Sequence, residues 1–259
     1  MGLFRALVIG AFIVALPLAL ISTNVRVAIS EKAVYDYSVR HYGAVEASGI
    51  GEQELIQANG EIHDYLTNQR DGPLAPVALN ATGQPEALFS VRETAHMADV
   101  QALVAVLFTV QALAIGALVA LAVVMLVLWP PRALAAAALY GSVLTACVLV
   151  LASVVAMSGF DSAWSQFHVL AFANDFWELD PQRDHLIQMY PEAFWFDITM
   201  LIGVATLFEA VVISGACAGY LALSRPRYEP RLLPEPREMP PRPDLRQRIG
   251  PPDPKHYTR

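Results

Sequence analysis

Four long apolar stretches constrain the fold of this 259-residue chain more than any other feature of its sequence. A hydrocarbon core about 30 Å thick is crossed by roughly 20 apolar helical residues, and each stretch has about that length. They predict transmembrane helices at residues 1–23, 103–129, 133–157 and 198–223. No Ala-x-Ala site follows the first stretch, which therefore indicates a retained anchor rather than a cleaved signal peptide.

The composition supports a membrane protein and excludes several other classes. Hydrophobic residues make up 55% of the chain and charged residues only 16%, whereas about a quarter of the residues in soluble proteins are charged. Two cysteines and an excess of acidic over basic residues give no support to a disulfide scaffold or to binding of nucleic acid. The predicted fold class is all-α: a polytopic membrane protein with four transmembrane helices and a small helical extracytoplasmic cap.

Basic residues beside the predicted spans indicate the orientation. With a cytoplasmic N-terminus, eleven Lys and Arg lie on the cytoplasmic side and six on the other. This count predicts that both termini are cytoplasmic, that residues 24–102 form the cap, and that residues 158–197 form an extracytoplasmic interfacial segment. Together these two segments contain 18 acidic residues. Two lysines against 15 arginines indicate a bacterial protein, and therefore a bacterial cytoplasmic membrane.

Two further segments have distinctive compositions. Residues 224–259 contain ten of the 18 prolines, which predicts a disordered cytoplasmic tail rather than a folded domain. Between Glu52 and Gln69, apolar residues at helical spacing predict an amphipathic helix that covers the membrane-embedded core.

One carboxylate lies inside a predicted span. Glu209 is near the middle of the fourth stretch, where an ionisable residue faces protein or water rather than lipid. Two interpretations stay open: a functional role, and a hydrogen bond to Tyr140 or Thr145 on the third span.

A polar stripe leads into the second span. Glu93, His96 and Asp99 recur every three residues and fall on one face if the helix begins before the apolar stretch. A carboxylate one turn from an imidazole can orient the ring and favour one of its tautomers.

A second histidine follows the third span. Phe160, Trp164 and Phe167 have helical spacing and predict an amphipathic helix in the membrane interface, with His168 at headgroup depth. His96 and His168 thus lie on different segments at one membrane surface, where two imidazoles can serve as general base and general acid. The alternative is that each is an ordinary polar residue at headgroup level.

Several catalytic motifs do not occur in the sequence. It contains no Gly-x-Ser-x-Gly, His-Glu-x-x-His, phosphate-loop or dinucleotide pattern, and no cofactor is predicted. A metal site formed by His96, Asp99, His168 and Asp175 is conceivable, although these spacings are not diagnostic. Two alternatives to acid–base chemistry therefore remain: a metal-dependent membrane hydrolase and a non-enzymatic scaffold or accessory protein.

Two motifs resemble the bacterial lipoprotein intramolecular transacylase (Lit) family. The first is Glu93-x-x-His96-Met97-x-Asp99-Val100, and the second is Phe167-His168-x-x-x-Phe172-x-x-Asp175-x-Trp177-x-Leu179-Asp180-Pro181-x-x-Asp184-x-Leu186-Ile187, ending in Pro191-Glu192-x-Phe194. The resemblance covers roughly residues 1–223. It implies a membrane acyltransferase that moves an acyl chain from the sn-2 ester of diacylglyceryl-cysteine to the α-amine of that cysteine. The implied partners are membrane lipids and a diacylated bacterial lipoprotein.

Carried over by position, the two family histidines are His96 and His168. Our hypothesis assigns His168 as base and His96 as acid or oxyanion donor, and the reverse assignment stays open. Asp99 and Asp175 are candidate orienting residues. Glu93 and Asp180 are further supporting candidates, and the sequence predicts no oligomeric state.

Overall fold

The computed structural model describes residues 2–69, 72–79 and 84–224. The predicted tail lies outside the described residues, apart from Ser224. The described part forms these elements in chain order: α1 Gly2–Ser30, α2 Lys32–His41, α3 Ala44–Ser48, α4 Glu52–Leu66, β1 Val77–Leu79, β2 Pro85–Ala87, α5 Val91–Leu128, α6 Pro131–Ser158, α7 Phe160–Ala171, α8 His185–Met189 and α9 Glu192–Leu223.

Four of these helices, α1, α5, α6 and α9, are long and apolar enough to cross a membrane. This confirms the prediction of a four-span, mainly helical membrane protein. Helix α1 packs against α5, α6 and α9, and α6 also packs along α9. The contact between α1 and α6 is close: a Cβ atom at Gly141 would lie 2.8 Å from Leu16 Cδ2 and 3.3 Å from the Ile13 carbonyl oxygen. A small residue therefore permits this helix pair to approach.

Helix α5 is much longer than its apolar part. Its 38 residues correspond to about 57 Å at 1.5 Å per residue, nearly twice the hydrocarbon thickness. A capping box starts it, in which the Ser90 side chain accepts from Glu93 N and the Glu93 side chain accepts from Ser90 N. The first three turns of α5 therefore project beyond the apolar stretch, and they carry His96.

A cap covers one end of the four spanning helices and consists of α2, α3, α4, the β1–β2 hairpin, α7 and α8. The amphipathic segment predicted near Glu52 is helix α4, and its Leu55 and Ile62 are buried in the cap core. Met189 of α8 and Phe194 at the start of α9 belong to the same core. The sequence predicted no strands, but β1 and β2 form a short antiparallel hairpin at the edge of this helical cap.

Glu209 has a different partner from the two that the sequence suggested. Its Oε2 accepts a hydrogen bond of 2.9 Å from Asn24 Nδ2, so the carboxylate lies toward α1 rather than α6. Tyr140 is exposed, and the hydroxyl of Thr145 donates to the carbonyl of Gly141 within its own helix. Of the two interpretations, the hydrogen bond to Tyr140 or Thr145 is therefore wrong, because the Glu209 carboxylate bonds to α1.

Candidate active site

Two histidines that are 72 residues apart in sequence meet between the projecting end of α5 and the cap helix α7. The ring centroids of His96 and His168 are 6.0 Å apart, with 37° between the ring planes. Only 8% and 7% of the two residues is exposed. Because buried imidazoles at this separation can contact a single small group between them, the pair is the strongest candidate for a catalytic centre.

The environment of His168 determines its tautomer. Its Nδ1 lies 2.8 Å from the carbonyl oxygen of Trp164, one turn earlier in α7. A carbonyl oxygen only accepts, so Nδ1 carries the hydrogen and Nε2 of the neutral ring keeps a free lone pair. Burial lowers the pKa of His168, and the hydrogen bond to Trp164 opposes that shift in part. The ring is therefore held neutral with Nε2 available as a proton acceptor.

Aromatic side chains enclose both imidazoles. Trp177 stacks on His168 at 5.0 Å, and Trp164 meets the same ring edge-on at 4.7 Å. Phe172 contacts both histidines, at 5.2 Å from His96 and 5.6 Å from His168. These rings shield the two imidazoles from solvent, and electrostatic interactions are stronger in such a less polar environment. The two histidines and the rings around them are called here the histidine pocket.

The segment 172–177, called here the aromatic loop, is tied to α5 on both sides of His96. Asn174 Nδ2 donates to Asp99 Oδ2 over 2.9 Å. One turn before His96, Arg92 Nη2 donates to the carbonyl oxygen of Asp175, and the guanidinium lies 3.8 Å from the Asp175 carboxylate. These contacts fix the loop that supplies Phe172 and Trp177 to the pocket.

The structure separates the predicted carboxylates by location. Asp99 is one turn from His96 and binds the aromatic loop, whereas the contacts of Asp175 are with Arg92 rather than with a histidine. Asp180 accepts from Gln182 N at 2.9 Å and from Arg183 Nε at 3.0 Å. Asp180 therefore closes the turn before α8.

Glu93 links the start of α5 to the cap. Only 2% of Glu93 is exposed. Its two carboxylate oxygens accept hydrogen bonds from Ser90 N and Leu186 N, each at 2.7 Å. The second bond joins α5 to α8 across 93 residues of sequence. Glu93 thus supports the scaffold of the pocket, while His96 faces the other imidazole.

Two side-chain atoms at this end of α5, His96 Nδ1 and Arg92 Nε, are buried without a hydrogen bond among the described residues, and the first belongs to the histidine pair. A buried polar atom of this kind is rare in folded proteins, and it indicates a site where another molecule supplies the partner. Within the described part of the chain, no group of three or more His, Cys, Asp or Glu side chains is placed to hold a metal ion. The four residues considered as metal ligands therefore do not form a ligand set.

Sequence reasoning missed Arg92 and Asn174. Arg92 precedes His96 by four residues, so helical spacing alone would have placed both on one face. Nothing local in the sequence connects Asn174 with Asp99, because their contact depends on how α7 folds back over α5.

Comparison with known proteins then identifies the family. Residues 11–195 match the model of the family "Lipoprotein intramolecular transacylase Lit". This chain belongs to the Lit family. Both histidines and the aromatic loop lie within the matched residues, and the family is one of membrane acyltransferases that act on lipoproteins. No curated protein matches the chain.

Solved structures of Lit from Bacillus cereus have the same fold. One matches with a TM-score of 0.71 and 19% identity, over 86% of this chain and 98% of the other. Two more, in which a histidine of the Bacillus cereus protein is replaced by arginine or by alanine, match with a TM-score of 0.68 at 19% identity, over 86% of this chain and 93% and 95% of the others. The four spans and their cap are therefore the Lit fold.

Proposed function

We propose that this Lit family member transfers an acyl chain from the sn-2 ester of a diacylglyceryl-cysteine to the α-amine of the same cysteine. The pair His96 and His168 supplies the acid–base chemistry. The observation that carries the proposal is the juxtaposition of the two buried rings, 6.0 Å apart, in a pocket with aromatic walls.

In this reaction the amine nitrogen attacks the ester carbonyl carbon. A C–N bond forms, the bond from that carbon to the sn-2 oxygen breaks, and a proton moves from the amine to the departing alkoxide. Amine and ester belong to one bound molecule, so the attack is effectively unimolecular and gains several kcal/mol from proximity. The protein needs no nucleophile of its own, only a base, an acid and a stabilised oxyanion.

His168 suits the role of base. The carbonyl oxygen of Trp164 holds its Nδ1–H, which leaves Nε2 to accept the proton of the amine. Its lowered pKa keeps the ring neutral at pH 7, and only a neutral imidazole accepts a proton. His96 then donates a hydrogen bond to the oxyanion, or relays to the departing alkoxide the proton that His168 took from the amine, so that both imidazoles end neutral. Its unpartnered Nδ1 is free to bind the substrate.

The same proposal locates the reaction on the extracytoplasmic side of the membrane. The excess of Lys and Arg beside the other ends of the four spans supports a cytoplasmic location for both termini. The cap and the histidine pocket then face outward, where diacylated lipoproteins are displayed.

The test is mass spectrometry of the N-terminal lipopeptide from a reporter lipoprotein, expressed with and without the protein. We expect an N-acylated, lyso-form peptide with the wild type and none with His168→Ala or His96→Ala. His41→Ala is the matched control, because His41 is an exposed cap histidine that stacks on Tyr37, away from the pocket. An unmodified amine with the wild-type protein would refute transacylation. Loss of activity with a chelator, restored by metal, would instead favour a metal-dependent hydrolase.

A further inference from the structure

A groove of about 670 Å³ lies between the C-terminal end of α6 and one face of α7. This volume is within the range of ordinary ligand pockets. Its lining includes Val155, Ser158, Ala163, Gln166, Phe167 and Leu170. All of these residues come from two consecutive helices, so the groove is open along its length on the side away from them.

Helix α7 presents two different faces. On the inner face, His168 is buried in the pocket and Trp164 stacks on Trp195 of α9 at 5.0 Å. On the groove face, Leu170 is 85% exposed and Phe167 is also exposed. An exposed apolar face on a helix at the end of membrane-spanning segments indicates contact with lipid.

Phe167 connects the groove with the histidine pocket. Its ring lines the groove and also meets His168 edge-on, with 5.2 Å between the centroids. The same ring lies 6.3 Å from Phe172, which contacts His96. The groove therefore lies one aromatic ring from His168 and two rings from His96.

The lining has the mixed chemistry of a lipid ester. Alanine, valine, leucine and phenylalanine side chains supply apolar walls, while Ser158, Ser162 and Gln166 add hydrogen-bonding groups. From Ser162 to Leu170 the helix rises about 12 Å, which accommodates a long stretch of methylene groups. Apolar walls with a few polar groups are typical of ligand sites.

We propose that this groove binds the sn-2 acyl chain of the diacylglyceryl substrate, so that its ester carbonyl is held at the histidine pair. The inference rests on the proposed function and adds the location of the chain that is transferred. The residues Ala163, Phe167 and Leu170 then set the length of chain that the enzyme accepts.

Photo-crosslinking tests the groove directly. The probe is a diacylglyceryl-cysteine lipopeptide with a diazirine at the end of its sn-2 chain, and the full-length protein is used in lipid nanodiscs. We expect the label in peptides covering residues 155–171, in both the wild type and His168→Ala, because binding does not require the chemical step. An even distribution over the lipid-facing helices would overturn the proposal. Equal labelling of 155–171 by a diazirine phosphatidylglycerol would also overturn it, since any membrane lipid would then occupy the groove.

A substitution that fills the groove provides the second arm. Ala163→Trp should reduce labelling of residues 155–171 about tenfold and shift acyl transfer toward shorter sn-2 chains. Val154→Trp is the control, because Val154 is exposed on α6 next to the groove without lining it. Thermal unfolding in detergent verifies that both variants are folded, and Leu170→Gln replaces Ala163→Trp if that variant is not. If Ala163→Trp changes neither the labelling nor the chain-length preference, the proposal that the groove binds the sn-2 chain is wrong.

The two proposals fail in different ways. If the wild type does not transfer an acyl chain to the amine, the proposed function is wrong whatever the labelling pattern. If transfer occurs but the label lies elsewhere, the function stands and the groove proposal is wrong.

Discussion

The protein buries histidines in two regions, and their surroundings differ. In the cap core, His63 is almost fully buried, and both of its ring nitrogens have partners, Asp64 Oδ1 and the Ser30 carbonyl oxygen, each at 2.9 Å. In the pocket, His96 is equally buried, but its Nδ1 has no partner among the described residues. Burial alone therefore does not separate a structural histidine from a catalytic candidate, whereas hydrogen-bond satisfaction does.

The largest expected effect is the fall in the rate of acyl transfer when His168, the proposed base, is replaced. We expect His168→Ala to lower the rate of acyl transfer by about 10²–10⁴-fold, the usual contribution of a general base. The measurement is the initial rate of lyso-form product in detergent, with thermal unfolding of the same sample. If His168→Ala keeps its activity, the histidine pair is not catalytic and does not differ in function from the structural His63.

His63→Ala should have the opposite profile. Removing the buried ring deletes its hydrogen bonds to Asp64 and the Ser30 carbonyl and its edge-on contact with Tyr35, which costs about 1–3 kcal/mol of stability. The midpoint of thermal unfolding should therefore fall, while the rate per folded molecule stays close to that of the wild type. A large loss of rate without loss of stability would assign a catalytic role to His63.

The dependence of the rate on pH sharpens the same contrast. Protonation of His168 removes the lone pair of the base, so the rate falls as pH decreases through its pKa. Burial lowers that pKa, and the midpoint of the acidic limb should lie below 6.5, the ordinary value for histidine. Trp177→Ala admits water and should move the midpoint back toward 6.5, whereas His63→Ala should leave it in place.

We expect a smaller loss of rate when the contact between α5 and the aromatic loop is weakened. Asp99→Ala removes the acceptor of Asn174 Nδ2 and should lower the rate several-fold through loosening of the loop, at about 1 kcal/mol for one hydrogen bond. Fluorescence quenching of the pocket tryptophans by acrylamide should increase in parallel. If the rate falls without any change in quenching, Asp99 acts on the chemistry rather than on the loop.

The features that local pattern determines were predictable. The four spans follow from apolar length, and the start of α5 before its apolar stretch follows from uninterrupted helical residues through His96. For His96 and His168, the sequence predicted only that both residues lie at the same membrane surface. The structure adds the distance and orientation of the two rings.

Other features depend on contacts between distant segments, which the sequence does not encode locally. Glu93 fits a helical stripe with His96, yet its carboxylate bonds to Leu186 N, 93 residues away. Glu209 pairs with Asn24 for the same reason. In both cases the orientation of packed helices, rather than the residue pattern, determines the partner.

The length of α5 has a mechanical consequence. His96 is carried seven residues, or about 10 Å, beyond the apolar part of a continuous helix, while His168 belongs to a separate helix of the cap. A transmembrane helix tilts when bilayer thickness changes. A tilt of α5 would displace His96 sideways, because His96 lies beyond the apolar part of the helix. The bonds of Glu93 and Asp99 to the cap and the aromatic loop oppose this displacement, and we therefore expect them to hold the distance between the two imidazoles constant in bilayers of different thickness.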